Sequence, residues 1–347
     1  MDVINRLIRD GSLTKEEYVE LLGYAGDIGA VKLLKEEAVR LRRKYYGDDV
    51  YLRGLIEFTN YCRNNCYYCG IRGENAKAQR YRLAKDEILS CCAEGHRLGF
   101  RTFVLQGGED PYYTDDRMEE IVHAIKTAYP NCALTLSIGE RTYESYQRFR
   151  LAGADRYLLR HETANEEHYR RLHPSSMSLT VRKRCLYDLK ALGYQVGAGF
   201  MVGSPGQTKE TLAEDLVFLK ELNPEMVGIG PFIPHHDTVF ADEPAGSVDL
   251  TLFLLSVVRI LLPKVLLPAT TALGTLDENG REKGLLAGAN VVMPNLSPVG
   301  KRKQYELYDN KICTGEEAAE GLEELKRRIE AAGCRAVSAR GDYCKSS

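Results

Sequence analysis

The apolar positions of the chain change rhythm once, near residue 50. Before that point Leu7, Leu13, Leu21 and Leu22, then Val31, Leu33, Leu34 and Val39, recur at roughly helical spacing. Thr14 with Glu17 three residues on reads as a capping box, so a helix is expected to start there. The basic run from Arg40 to Lys44 reads as a solvated helix face. Residues 1–49 are therefore taken as an N-terminal helical extension, and 50–347 as the main domain with a C-terminal helical segment. After residue 50 the pattern becomes short apolar runs at 51–59, 102–106, 133–137, 156–160, 195–200, 226–230, 266–270 and 290–293. Amphipathic stretches at 85–98, 118–128, 141–151, 179–192, 209–221 and 250–261 lie between them. Eight strands alternating with helices predict a parallel α/β fold, and eight is the number that closes a complete (β/α)8 TIM-type barrel. Alternation alone does not specify closure, so a doubly wound open sheet is the competing arrangement. In a barrel, the polar residues at the C-terminal strand ends converge on one mouth.

Composition narrows the class. The 347 residues are 44% hydrophobic and 28% charged, enough for a large core with a soluble surface. Forty-seven basic and 49 acidic side chains give a net charge of -2, without the basic excess of a nucleic-acid binder. The most apolar run, 251–268, is broken by Arg259, Pro263 and Lys264, and the first ten residues lack the apolar core of a signal peptide. These features predict a cytoplasmic protein without membrane or nucleic-acid partners. In a reducing cytosol its ten cysteines favour metal binding or catalysis over disulfides.

Three of those cysteines follow the first strand as Cys62, Cys66 and Cys69, spaced C-x3-C-x2-C. A closed structural zinc site wants four ligands. Three thiolates leave one coordination position open, which suits a catalytic iron–sulfur cluster and its preference for soft ligands. A zinc knuckle is the bland alternative. The second strand ends in Gln106, Gly107, Gly108, Glu109, Asp110 and Pro111, where glycines let backbone approach a ligand closely. By itself that motif is equally well a plain strand-to-helix turn. Cys91, Cys92, Cys132 and Cys185 are expected to be small buried hydrophobes, and His161, His235 and His236 hydrogen-bonded structural residues.

The cysteine spacing, with aromatic Tyr68 just before the third cysteine, resembles the signature of radical S-adenosylmethionine (SAM) enzymes. That resemblance implies a [4Fe–4S] cluster on Cys62, Cys66 and Cys69, whose free iron chelates SAM and whose electron cleaves it to a 5′-deoxyadenosyl radical. It further implies that Tyr68 packs near the adenine, and that Gln106, Gly108 and Glu109 belong to an element fixing the SAM amino group. Four more segments, 157–165, 227–235, 268–275 and 288–295, resemble the HydE family of [FeFe]-hydrogenase maturases from about residue 50 onward. This second resemblance implies Glu162 as the ribose contact and Arg182, with Arg184 as its rival, at the SAM carboxylate. Ser137, Met226 and Tyr305 are the further cofactor-side positions it suggests. On the substrate side, Arg156, Thr270 and Thr271 resemble an anion-binding cage; a plain salt bridge for Arg156 and ordinary strand threonines are the alternatives. The implied substrate is a small iron–carbonyl–cyanide–cysteine complex, organometallic or amino-acid-derived, made by a partner maturase. An electron donor and a monomeric enzyme are also expected.

Two competing functions stay open at this point: a 3-methylornithine synthase-like mutase acting on lysine, and a non-catalytic carrier of a metal fragment. Some family members carry a second, peripheral iron–sulfur site from a C-x7-C-x2-C run. Here Cys313 stands in the matching place, but Gly321 and Glu324 occupy the other two positions, so no second cluster is expected.

Overall fold

The computed structural model describes residues 2–312 and 321–344. Six strands, Gly54–Thr59, Thr102–Gly107, Ala133–Ser137, Arg156–Leu158, Gln195–Ala198 and Met226–Val227, pair in chain order and in parallel. Single parallel bridges complete the ring: Met226 to Leu266, Pro268 to Val291, and Asn295 back to Leu55. The seventh wall forms no regular strand, as expected where prolines at 263 and 268 remove ladder donors. A buried arginine compensates. Arg259 donates to the carbonyls of Pro263 (3.0 Å), Val265 (2.7 Å) and Gly288 (2.9 Å) and to Asn290 Oδ1 (3.1 Å), tying the seventh wall to the eighth.

The expected first strand is two pieces, Asp49–Leu52 and Gly54–Thr59. The earlier piece pairs with Val291–Val292 on one side and Arg335–Val337 on the other. That last strand is absent from the sequence reading, since three residues carry no usable periodicity. It leads residues 340–342 beneath the ring, and there the expectation for Arg156 fails. Arg156 is fully buried at the N-terminal end of its strand, donating to Arg340 O (2.7 Å), Gly341 O (3.1 Å) and Asp342 Oδ1 (2.8 Å). It seals the floor of the barrel and does not reach the mouth.

The outer helices follow the sequence reading closely: Lys85–Arg97, Asp115–Ala128, Tyr143–Ala152, Leu179–Ala191, Lys209–Leu222 and Val248–Leu261. The helix Val248–Leu261 is buried on nearly all sides because helix Ile28–Tyr46 of the N-terminal segment packs over it. Leu254, Leu255, Val257 and Val258 are all inaccessible, and burial of each stabilises by roughly 1.5–3 kcal/mol. Helix Lys15–Leu22 covers Lys209–Leu222 and starts at the Thr14 capping box. Within the basic run, Arg42 departs from a solvated face. It is buried and donates to Leu285 O (3.0 Å) and Cys334 Sγ (3.1 Å). Among the described residues no helix is long and apolar enough to cross a membrane.

Candidate active site at the barrel mouth

The first strand ends at Thr59, whose hydroxyl donates to the buried Asp110 (2.7 Å); Arg82 pairs with the same carboxylate at 2.7 Å. This joint launches the cysteine loop beside the Gly107–Gly108 turn. A Cβ on Gly108 would lie 2.2 Å from Tyr61 O and 2.7 Å from Cys62 Cβ, so only glycine permits the approach. Separate elements then pin the loop: Arg63 N–H donates to Glu109 O (2.9 Å), Tyr67 N–H to Leu172 O (3.0 Å) and Gly70 N–H to Leu307 O (2.9 Å). Cys62, Cys66 and Cys69 are half-buried and unbridged. Burial, reinforced by the neighbouring thiol of Cys62, pushes the Cys69 thiol up to about 12, and burial with Cys69 raises Cys66 well above the ordinary range. Such thiols would release their protons to solvent on binding a metal, the thiolate taking the metal in the proton's place. Met177 Sδ lies 3.7 Å from Cys66 Sγ.

Below the loop lies a cavity of about 300 Å³. Its lining includes Tyr68, Gln106, Ser137, Glu162, Arg182, Thr270 and Tyr305 among the residues singled out from the sequence, together with Cys69. Tyr68 is oriented through its hydroxyl by His173 Nε2 (3.2 Å), and His173 Nδ1 in turn bonds Tyr169 O (2.9 Å). Gln106 Nε2 donates to the buried Tyr305 hydroxyl (3.4 Å). Arg182 pairs with Glu140 (2.7 Å), whereas Arg184 lines a separate outer cleft, so of the two rivals only Arg182 faces the cavity. Glu162 has a left-handed backbone, φ 65°, which is costly for a residue with a side chain and is often found at functional sites. Its carboxylate lies 3.0 Å from Arg160 Nη2. Thr270 Oγ1 is buried and has no hydrogen-bond partner.

Other expectations land elsewhere. Met226 opens its strand, where its sulfur accepts from Arg53 (3.1 Å) and packs with Tyr46, Leu266 and Val291; Gly230 and Pro231, in the separate short strand that follows, line the cavity instead. Neither Gly108 nor Glu109 lines it. The Glu109 carboxylate accepts from Glu140 N–H (2.8 Å) and Arg63 (3.0 Å), bracing the loop from outside. Thr271 accepts from Arg281 (3.3 Å) at the start of helix Thr271–Leu276. Besides Arg182, the cationic residue lining the cavity with Thr270 is Arg160, two residues past the end of the strand that Arg156 opens. Its position at the C-terminal strand end was the available signal. Asn60 also carries more than the sequence suggested. Fully buried, it donates to Gln79 O (2.8 Å) and Gln304 O (2.7 Å), fastening the segment that brings Tyr305 over the mouth. Cys91, Cys92, Cys132 and Cys185 are buried, while Cys313 lies outside the described residues.

Comparison with known proteins agrees with this geometry. A profile of the Radical SAM superfamily matches residues 56–219. The [FeFe] hydrogenase maturase subunit HydE of Thermotoga maritima is 47% identical over 332 residues, 96% of this chain and 94% of that protein. The chain belongs to the HydE family of radical SAM enzymes. The 3-methylornithine synthase of Methanosarcina acetivorans is 30% identical over 93% of this chain and 87% of its own. Among solved structures, methylornithine synthase (PylB) superposes with a TM-score of 0.80 at 27% identity, covering 96% of this chain and 97% of that one. HydG, described as a maturase of the [FeFe]-hydrogenase, reaches 0.81 at 21% identity over 97% and 76%, a likeness of fold alone. As a member of this family the chain is an enzyme that uses a [4Fe–4S] cluster and SAM. Its donor set fits them: the Cys69 thiol, an unpartnered hydroxyl on Thr270, the Glu162 carboxylate and the Arg182 guanidinium line one cavity, with Cys62 and Cys66 on the loop above it.

Proposed function

We propose that this chain is an [FeFe]-hydrogenase maturase of the HydE type, acting on a small iron–carbonyl–cyanide–cysteine complex delivered by a partner maturase. The observation that carries the reading is the 47% identity to such a maturase over nearly the whole chain, beside the C-x3-C-x2-C loop at the mouth. Cys62, Cys66 and Cys69 would hold the cluster. When bound, cluster and SAM supply one-electron cleavage of a sulfonium–carbon bond. The remaining work belongs to side chains. Tyr68, held upright by His173, offers a ring face to the adenine; Glu162 accepts from the ribose hydroxyls; Arg182 faces the SAM carboxylate, with Gln106, Ser137 and Tyr305 completing the wall. Arg160 and Thr270 together bind the anionic part of the substrate, the charge from one and a free hydroxyl from the other. Leu158, Leu159, Phe232, Ile233 and Leu307 keep water from the reacting atoms. The enzyme works as a monomer in the cytoplasm, fed by a separate electron donor, with helices 2–46 clamping the outside of the barrel.

The test is anaerobic. Reconstituted protein with dithionite and SAM should release 5′-deoxyadenosine, faster with the iron–cysteine complex present, and Cys66→Ala should release none. Methylornithine formed from lysine would assign the chain to the synthase instead. Cleavage persisting in the cysteine variant would support the metal-carrier reading.

A further inference from the structure

We propose that His161 and Asp215 are positioning residues that hold the strained turn carrying Glu162 into the cavity. This rests on the reading of Glu162 as a SAM contact. The two side chains are entirely inaccessible, far inside the wall between the fourth strand and helix Lys209–Leu222. A buried carboxylate beside a buried imidazole is expensive unless it does something for its surroundings. Here it grips both flanks of one residue. Asp215 Oδ1 accepts from Ala164 N–H at 2.5 Å, two residues after Glu162, and lies 3.3 Å from His161 Nε2, one residue before it. His161 Nδ1 accepts from Gly199 N–H (3.3 Å), so this ring carries its proton on Nε2, facing the carboxyl. Gly199 closes the circuit, its carbonyl accepting from Glu162 N–H (3.0 Å).

Left to itself a glutamate avoids φ near 65°, and the conformation persists only if the surroundings over-determine it. The contacts above fix residues 161, 162 and 164 from one side chain pair and one strand. Nothing in them uses a negative charge. The one hydrogen bond Asp215 accepts, from Ala164, runs through Oδ1; His161 Nε2 packs 3.3 Å from that oxygen without an aligned hydrogen bond, and Oδ2 has no partner. Burial accordingly raises the Asp215 carboxyl well above its usual range and keeps His161 neutral; Lys183, Arg160 and Arg182 are the cations facing the imidazole, and Glu214, Lys183 and Glu162 the charged groups facing Asp215. The pair therefore acts by geometry.

That makes a sharp expectation for substitutions in the reconstituted enzyme. Equilibrium binding of labelled SAM is one readout, and the split between KM and kcat in SAM cleavage is the other. Asp215→Ala should weaken SAM binding and raise KM by about tenfold, with iron content unchanged and kcat at saturation little altered. Asp215→Asn, which keeps an Oδ1 acceptor for Ala164 N–H and nearly the same shape against His161, should restore wild-type values. His161→Phe should behave like Asp215→Ala, and His161→Gln, which keeps a donor, should fall between; these serve if the alanine variant does not fold. Equal loss in Asp215→Asn and Asp215→Ala overturns the proposal, as does wild-type SAM binding in a folded Asp215→Ala or His161→Phe. Glu162→Gln separates the two levels. If it binds SAM normally, the assigned contact is wrong. If it binds weakly while the His161 and Asp215 variants bind normally, the contact stands and the positioning role falls.

Discussion

Replacing Arg156 with methionine separates a structural role from a catalytic one, because the two make opposite demands. In the floor of the barrel the guanidinium has no exposed surface and donates at 2.7, 2.8 and 3.1 Å to Arg340 O, Asp342 Oδ1 and Gly341 O. Breaking a buried ion pair by removing one partner costs roughly 3–5 kcal/mol. Asp342 is 42% exposed and regains water, so the lower figure, about 3 kcal/mol, applies. A chain of 347 residues has an unfolding entropy of about 0.7 kcal/mol/K, which turns that loss into a fall in Tm of about 4 °C. Scanning calorimetry of the anaerobic protein reads the shift directly. Labelled-SAM binding and the speed of SAM cleavage at a temperature well below Tm should match wild type. Arg160→Met should show the converse, with Tm nearly unchanged and turnover of the iron complex lost. An unchanged Tm in Arg156→Met, or lost turnover with an intact Tm, would refute the assignment of Arg156 to the floor.

Further outcomes are expected. Gly108→Ala places a methyl group 2.2 Å from Tyr61 O and should cut iron retained per chain after reconstitution, with a folded circular-dichroism spectrum; full iron loading would contradict the packing argument. Arg182→Met should weaken SAM binding at least tenfold while Arg184→Met, on the outer cleft, leaves it unchanged within about twofold. His236 is held above its usual range by the hydrogen bond to Asp309. Its folded pKa exceeds the unfolded one, so the contact stabilises fully below about pH 6.5 and is lost as pH rises through the folded value. NMR titration of the histidine should show this elevation, and Asp309→Asn should abolish it; because His236 is largely exposed, the stability change should stay under about half a kcal/mol. Iron analysis should give about four atoms per chain, the content of one [4Fe–4S] cluster, and six to eight would disprove the expectation of a single site.

What the sequence disclosed follows from where information is local. The cysteine loop, the Thr14 cap and the six outer helices are written in spacings of three or four residues, and all are placed where expected. Arg156 and Met226 were misplaced for a shared reason. Both open their strands, and a strand's depth in a barrel depends on register with neighbours tens of residues away. A shift of four positions, from Arg156 to Arg160, carries a side chain from floor to mouth. Glu109 shows a different limit. Its motif was legible, but its carboxylate is spent on Arg63 and on a backbone amide in the next loop, a partnership no linear pattern encodes. The same holds for Asp215, fifty-one residues from the amide it accepts.

The pairing of Asp49–Leu52 with Arg335–Val337 has a consequence for biosynthesis. The partners are 286 residues apart, so a ribosome adding about 5–20 residues per second leaves the earlier strand waiting for roughly 15–60 s. Throughout that interval one edge of the nascent chain is unsatisfied and the underside of the ring is open. Nascent molecules should therefore depend on chaperone shielding until their final segment emerges, and a ribosome stalled short of residue 335 should display a protease-sensitive barrel.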